Sequence, residues 1–201
     1  VPKLLFTLTG SLSLLLCFAQ KNYGVSQDYY IYQNSGSSIV PLVYYETKNH
    51  WYTAARYNYE SDQTLSLQLG RNFSKQGSLS YSIIPLAGLL AGNFKGASIG
   101  TQAEIEVGKF SLFTEPEFCF QFKNQTEKFF YSWSELSYQF SKNFYTGLAL
   151  QSTKNKNQSL INEPGLLFGI CVKNFEIPLY FFRTSPSTNY FVTGVHWRLE
   201  K

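Results

Sequence analysis

The carboxylates Glu104 and Glu106, Glu115 and Glu117, and Glu135 lie at spacings that put them on common faces of neighbouring extended segments. Residues two apart in a β-strand point the same way. A turn at Gly108 and Lys109 folds the first segment onto the second, so Gln102 opposes Glu115 and Gly100 opposes Glu117. The following strand is expected to carry Glu135 alongside Glu117. Acidic groups gathered in this way repel one another unless they are protonated, bound to a cation or faced by basic side chains. Arg56, Lys173 and Arg198 share the same parity on other strands and are the expected counter-charges. Such a cluster suits an internal ion-pair network, a constriction that prefers cations or a divalent-cation site. The ion-pair network is the reading carried forward, and no metal is assigned.

Other chemistry is poorly supplied. Paired carboxylates also serve glycoside hydrolysis, but no sugar-stacking arrangement accompanies these. His50 stands in a short turn and His196 at interior parity in the last strand. No serine sits in a Gly-x-Ser-x-Gly context, and the sequence holds no phosphate loop, dinucleotide fingerprint or metal-spaced Cys/His set. No catalytic residue and no cofactor are assigned. Lys48, Lys75, Lys95, Lys123, Lys142, Lys154 and Lys156 are spread singly through polar loops. A net charge of +4 arranged this way does not make a nucleic-acid face. Cys119 and Cys171 read as two lone apolar thiols.

The segments that must position the carboxylates read as strands. They cover residues 28–33, 39–46, 51–60, 64–73, 78–91, the two arms of a hairpin over 97–121, 129–140, 143–153, 165–173, 175–184 and 190–199, which is about twelve strands. In 78–91 the alternation fades after Ile83, and Pro85 and Gly88 suggest a bulge or bend. The hairpin states the architectural choice. Ile99, Ile105, Val107, Leu112, Phe118 and Phe120 share one face, and the carboxylates share the other. A soluble sandwich would bury the apolar face. A membrane barrel would turn it to lipid and line its lumen with the acids.

Three patterns favour the barrel. Tight turns at 108–109, 141–142 and 174 alternate with longer connections at 34–38, 92–96, 123–128, 154–164 and 185–189, as expected when one rim carries turns and the other loops. Aromatics make up 18% of the 201 residues and gather near strand ends: Tyr57, Tyr59, Phe73, Phe110, Phe129, Phe130, Phe140, Phe144, Phe175, Phe181 and Trp197. That placement matches interfacial girdles. Mid-strand charges keep to the polar face, and the exceptions Arg71 and Arg183 sit near strand ends, where they can snorkel. The expected fold is all-β, an antiparallel up-and-down transmembrane β-barrel. Residues 1–19 read as a signal peptide, with an apolar run from Leu4 to Leu16 and cleavage before Gln20. Cys17 offers lipidation as the alternative. Residues 20–27 are then a lead-in and 28–201 the barrel.

This strand rhythm and loop asymmetry, together with Phe129-Phe-Tyr-Ser-Trp-Ser-Glu-Leu136, resemble the small β-barrel proteins of Gram-negative outer membranes. The chain departs from them at its end, Trp197-Arg-Leu-Glu-Lys201, where such barrels usually close on a terminal aromatic. The resemblance implies an outer-membrane location with lipid around the barrel. It implies no activity. The expected role is either a narrow pore for small solutes or a structural barrel whose outer loops meet a protein partner. The alternatives are a secreted soluble β-barrel binding an apolar ligand and an outer-membrane lipid-modifying enzyme.

Overall fold

Period-two alternation becomes a single antiparallel sheet that closes on itself. The computed structural model describes residues 22–33, 36–123, 128–156, 158–185 and 188–200, so the expected leader lies outside the described residues. The strands are β1 (Asn22–Tyr32), β2 (Gly36–Glu46), β3 (Trp51–Tyr57), β4 (Thr64–Arg71), β5 (Phe73–Lys75), β6 (Leu79–Gly92), β7 (Gly96–Val107), β8 (Phe110–Gln121), β9 (Lys128–Gln139), β10 (Phe144–Asn155), β11 (Ile161–Val172), β12 (Phe175–Ser185) and β13 (Thr188–Glu200). Consecutive strands pair except β4 and β5, which both pair with β6, and β1 pairs with β13 to close the ring. β4 and β5 are one stave, because both pair with β6 in an unbroken register from Gly70↔Leu86 to Phe73↔Ile83. The closed barrel therefore has 12 staves. Pro85 stands opposite the interruption and has no N–H to donate.

Several sequence expectations are corrected. β1 begins at Asn22, so residues 22–27 belong to the barrel and not to a lead-in. No bulge forms at Pro85 or Gly88: β6 keeps one register with β7 from Leu79↔Val107 to Leu90↔Gly96. Ile84, Leu86 and Leu90 are simply its inward side chains, all buried. The register shift falls instead between Arg183 and Ser185. The long connection expected at 154–164 shrinks to 156–160, because β10 and β11 pair as far as Thr153↔Ile161. The connection expected at 34–38 likewise loses residues 36–38 to β2. The two rims consequently differ less in connection length than the sequence suggests.

The outer surface is apolar. Val43, Leu69, Ile99, Leu112, Leu136, Leu148, Leu166 and Ile177 are exposed along the outer faces of their staves. A soluble barrel would not leave so continuous an apolar band in water. Trp51, Phe73, Phe110, Phe140, Phe144 and Phe175 are exposed around the rim that carries the turns and the chain ends. Tyr29, Tyr57, Phe120 and Phe122 are exposed toward the other rim. Arg71 reaches over the Trp51 and Phe73 rings, at 6.0 and 5.9 Å, an interfacial placement for a cation on the apolar face. Two residues expected in the girdles point inward instead. Phe129 packs on Phe94 at 5.4 Å, and Tyr59 is described below. Placing a charge at mid-height should separate lipid from water as the outer solvent. Leu69→Arg is expected to destabilise the barrel by roughly 2–4 kcal/mol in urea titrations of protein folded into lipid vesicles. An unchanged midpoint would contradict a lipid-facing wall.

Candidate functional site

The lumen is filled from its own walls. On one side, β9 to β13 contribute a buried cluster of Trp133, Tyr145, Ala149, Leu167, Tyr180, Phe182, Tyr190 and Val192, with Tyr30 and Tyr131 packed against it. Edge-on and stacked rings set its geometry: Trp133 lies 5.2 Å from Phe182, and Phe182 lies 4.9 Å from Tyr190. Toward the loop rim, Phe94 turns in from the 93–95 connection to join Leu90 and Cys119. Its backbone N–H donates to Thr64 Oγ1 at 3.1 Å. Cys119 and Cys171 are free thiols.

The opposite side is polar and centres on Arg56. This side chain projects inward from β3 and is only 2% exposed. Its Nη1 donates to Glu115 Oε1, and its Nη2 donates to Glu117 Oε2 at 2.7 Å and to Glu60 Oε1 at 2.5 Å. Gln68 on β4 donates from Nε2 to the other Glu117 oxygen at 3.0 Å. Because β4, β6 and β7 lie between β3 and β8 in the sheet, these bonds bridge across the lumen and do not run along the wall. Burying three carboxylates around one guanidinium is tolerable only because Arg is planar, permanently charged and offers several donors at once.

Glu60 reaches Arg56 because the chain leaves β3 early. The strand expected over 51–60 ends at Tyr57. Asn58 then takes a left-handed conformation (φ 61°), as does Gln63 (φ 49°). Asn is one of the few non-glycine residues that adopts this region readily. The Asn58 side chain accepts from Gln63 N–H at 2.7 Å and donates from Nδ2 to Ile39 O at 3.1 Å. The 58–63 connection thus folds inward. Tyr59 lays its ring 4.0 Å from the Arg56 guanidinium carbon and meets Tyr131 edge-on at 5.3 Å.

The expected site residues separate into distinct places. Arg56 joins Glu115 and Glu117, with Gly100 opposite Glu117 as the hairpin register requires. Glu135 does not stand beside Glu117. Its cross-strand neighbour on β8 is Phe113, and Glu117 faces Tyr131. Glu135 instead accepts from Trp133 Nε1 at 2.5 Å and Tyr180 Oη at 2.7 Å. Glu104 lies nearer the turn rim and accepts weakly from Ser111 at 3.4 Å, while Glu106 is exposed. Arg198 pairs with Glu176 at 3.1 Å. Lys173 is not in the lumen set, because it occupies the turn after β11 with φ 55° and is exposed. His196 binds Asp28 at 2.8 Å, and Ser26 stands across the ladder from it. No serine hydroxyl bonds that imidazole among the described residues. Glu60, Tyr59 and Gln68 are the members the sequence reading missed. Asn58 followed by Ser61 and Asp62 was the available turn signal.

The interior is strongly acidic. Asp28, Glu46, Glu135, Glu163 and Glu176 join Glu60, Glu104, Glu106, Glu115 and Glu117 at inward positions. Arg56 and Arg198 are the lysine or arginine side chains that face them among the described strands. The lysines stand at the rims or on the outer face.

Comparison with known proteins comes down to architecture. The structure aligns with the KdgM porin over 87% of this chain and 98% of that one, at 14% identity and a TM-score of 0.61. The chain has the fold of a small outer-membrane porin. The same holds for the NanC porin, at 10% identity, 88% and 100% coverage and a TM-score of 0.63. The KdgM porin in complex with disordered oligogalacturonate aligns equally well, at 13% identity and a TM-score of 0.61. At these identities the likeness is one of fold. No protein-family model and no curated protein matches the sequence.

The cross-lumen bridge has a measurable consequence. Arg56→Ala leaves Glu60, Glu115 and Glu117 buried without their cation and is expected to lower stability in detergent by about 3–5 kcal/mol. Glu115→Gln and Glu117→Gln placed in the same chain should restore part of that loss. Thermal unfolding of the three proteins checks both statements, and an unshifted Arg56→Ala midpoint would remove the bridge as a structural element.

Proposed function

We propose that this chain is a Gram-negative outer-membrane barrel that provides a narrow, cation-preferring pathway, latched at mid-height by Arg56 and the 58–63 connection. Charge segregation carries this reading. Carboxylates crowd the interior, whereas the lysines stand at the rims or on the outer face. A low-dielectric passage lined by one sign of charge concentrates counter-ions of the other sign. The apolar outer band and its aromatic girdles support the membrane location. The porin fold of KdgM and NanC supports a pathway through the barrel. Oligogalacturonate, held by one of those neighbours, is a polyanion. The acid-rich lumen of this chain argues against a solute of that charge.

A second reading has its own observation. Arg56, Leu167, Cys119, Phe182 and Val192 are all at most 2% exposed, so side chains fill the lumen at their level. A barrel permanently filled in this way would act through its rims, as a structural element or a docking point for a protein partner.

Planar-bilayer recordings under a KCl gradient separate the two. The latched pathway is expected to give small steady conductance with a zero-current potential of cation-selective sign. Glu117→Gln and Glu135→Gln should each reduce that potential. Glu60→Gln, which weakens the hold of Arg56 on the 58–63 connection, should raise the conductance. Silent bilayers from folded protein, unchanged by Glu60→Gln, would favour the filled barrel.

A further inference from the structure

On the lipid-facing wall, toward the loop rim, the ladder between β11 and β12 ends at Gly165↔Phe182. Beyond that rung β11 continues paired with β10 alone, from Pro164↔Leu150 to Ile161↔Thr153. β12 shifts register against β13 between Arg183 and Ser185. Pro164 has no N–H with which to extend the rung. The staves part here, and a groove of about 450 Å³ opens between them. Leu148, Leu166, Phe181 and Phe191 form its apolar flank on the lipid face. Its lining also includes Phe182 and Tyr190 of the lumen cluster, so the groove cuts into the wall itself. On the lumen side of the same rung Gly165 leaves room for the Phe182 ring, which a Cβ there would meet at 2.8 Å.

At the rim end of the groove stand Arg183 and its cross-strand neighbour Asn189. Arg183 is exposed and forms no ion pair among the described residues. The nearby carboxylate, Glu163, is directed inward to Gln151 and Tyr190. An exposed guanidinium above an apolar slot near the rim, with no ion pair among the described residues, complements an acyl chain ending in a phosphate headgroup.

We propose that this groove is a binding site for one anionic phospholipid, with an acyl chain along Leu166 and Phe181 and its phosphate on Arg183. The site rests on the membrane location above, but it is independent of any passage through the lumen. It differs from ordinary surrounding lipid in being a cleft between parted staves with a single cation at one end.

Native mass spectrometry of the full chain released from detergent micelles, with dioleoyl phosphatidylglycerol or dioleoylglycerol added, tests the proposal. One retained phosphatidylglycerol is expected, bound roughly tenfold more tightly than dioleoylglycerol. Arg183→Gln should erase that preference. Leu166→Trp, which fills the slot from an exposed position, should reduce retention of both lipids. Arg71→Gln removes the comparable outward arginine at the other rim and should change neither. Equal retention of the two lipids by the unaltered chain, or an equal loss from Arg71→Gln and Arg183→Gln, would overturn the site. Failure of the membrane reading itself would appear separately, as a chain that stays monodisperse without detergent.

Discussion

In hydrocarbon every backbone N–H and C=O must find its partner within the protein, and an open sheet edge is not tolerated. This requirement shapes the whole molecule. β1 meets it most visibly: each residue from Asn22 to Tyr32 has a ladder partner on β13 and another on β2. The first and last staves are thereby locked together, although they are the most distant parts of the barrel in sequence. Closure fixes the number of staves, and the number of staves fixes the width of the interior. A ring of this size is wider than one layer of small side chains can fill, yet narrow enough for long ones to meet across it. Arg56, Glu115 and Glu117 do meet across it, as do Tyr59 and Tyr131.

The interior solves the filling problem differently on its two sides. From β9 round to β13 and β1, aromatic rings pack against one another, and their hydroxyls and indole N–H are satisfied by single carboxylates. Tyr180 and Trp133 share Glu135, and Tyr145 takes Glu176. From β3 to β8 smaller apolar clusters flank a charge-assisted centre, in which one guanidinium serves three acids. Such a cluster is weak evidence for stability in itself, because its desolvation offsets much of its attraction. It does, however, make the position of the 58–63 connection dependent on charge. The aromatic side lacks that property.

The fold was legible because a closed sheet with lipid outside and polar side chains inside imposes one period on every stave. The 97–121 hairpin already assigned Ile99 and Leu112 outward and Glu115 and Glu117 inward, and β7 and β8 realise that register. Legibility failed where the pattern is not periodic. Pro85 looked like a break because proline is disfavoured in strands. On an outward position of β6, however, its register is preserved on both sides. Polar residues such as Asn155, Asn162 and Glu163 looked like loop, yet they extend β10 and β11. Ladder pairing, unlike burial, makes no demand on side-chain type. Tyr59 is expected outward when the β3 alternation is extended past Asn58. The left-handed residue there ends that alternation and turns the Tyr59 ring inward. Glu135 lies elsewhere than expected for a geometric reason, since alternation fixes its face but not the β8–β9 register that sets it opposite Phe113.

These features limit how the barrel could change state. Nearly all of the described chain is committed to ladder hydrogen bonds that cannot be surrendered in lipid without leaving polar groups unpaired. Rearrangement is therefore confined to side chains inside the ring and to connections not bound into the ladder. Most of those connections are tight and stay at the rim. The 93–95 connection seats Phe94 in an apolar cluster, where withdrawal would expose an aromatic ring. The 58–63 connection is held differently, by Arg56 contacts to Glu60 and Tyr59 and by hydrogen bonds through Asn58. Charged contacts can exchange with water and ions entering from the rim, whereas the apolar cluster gains nothing from them. If the interior opens, the physical chemistry of its two sides puts the opening along β3, β4 and β8, where the carboxylates already stand.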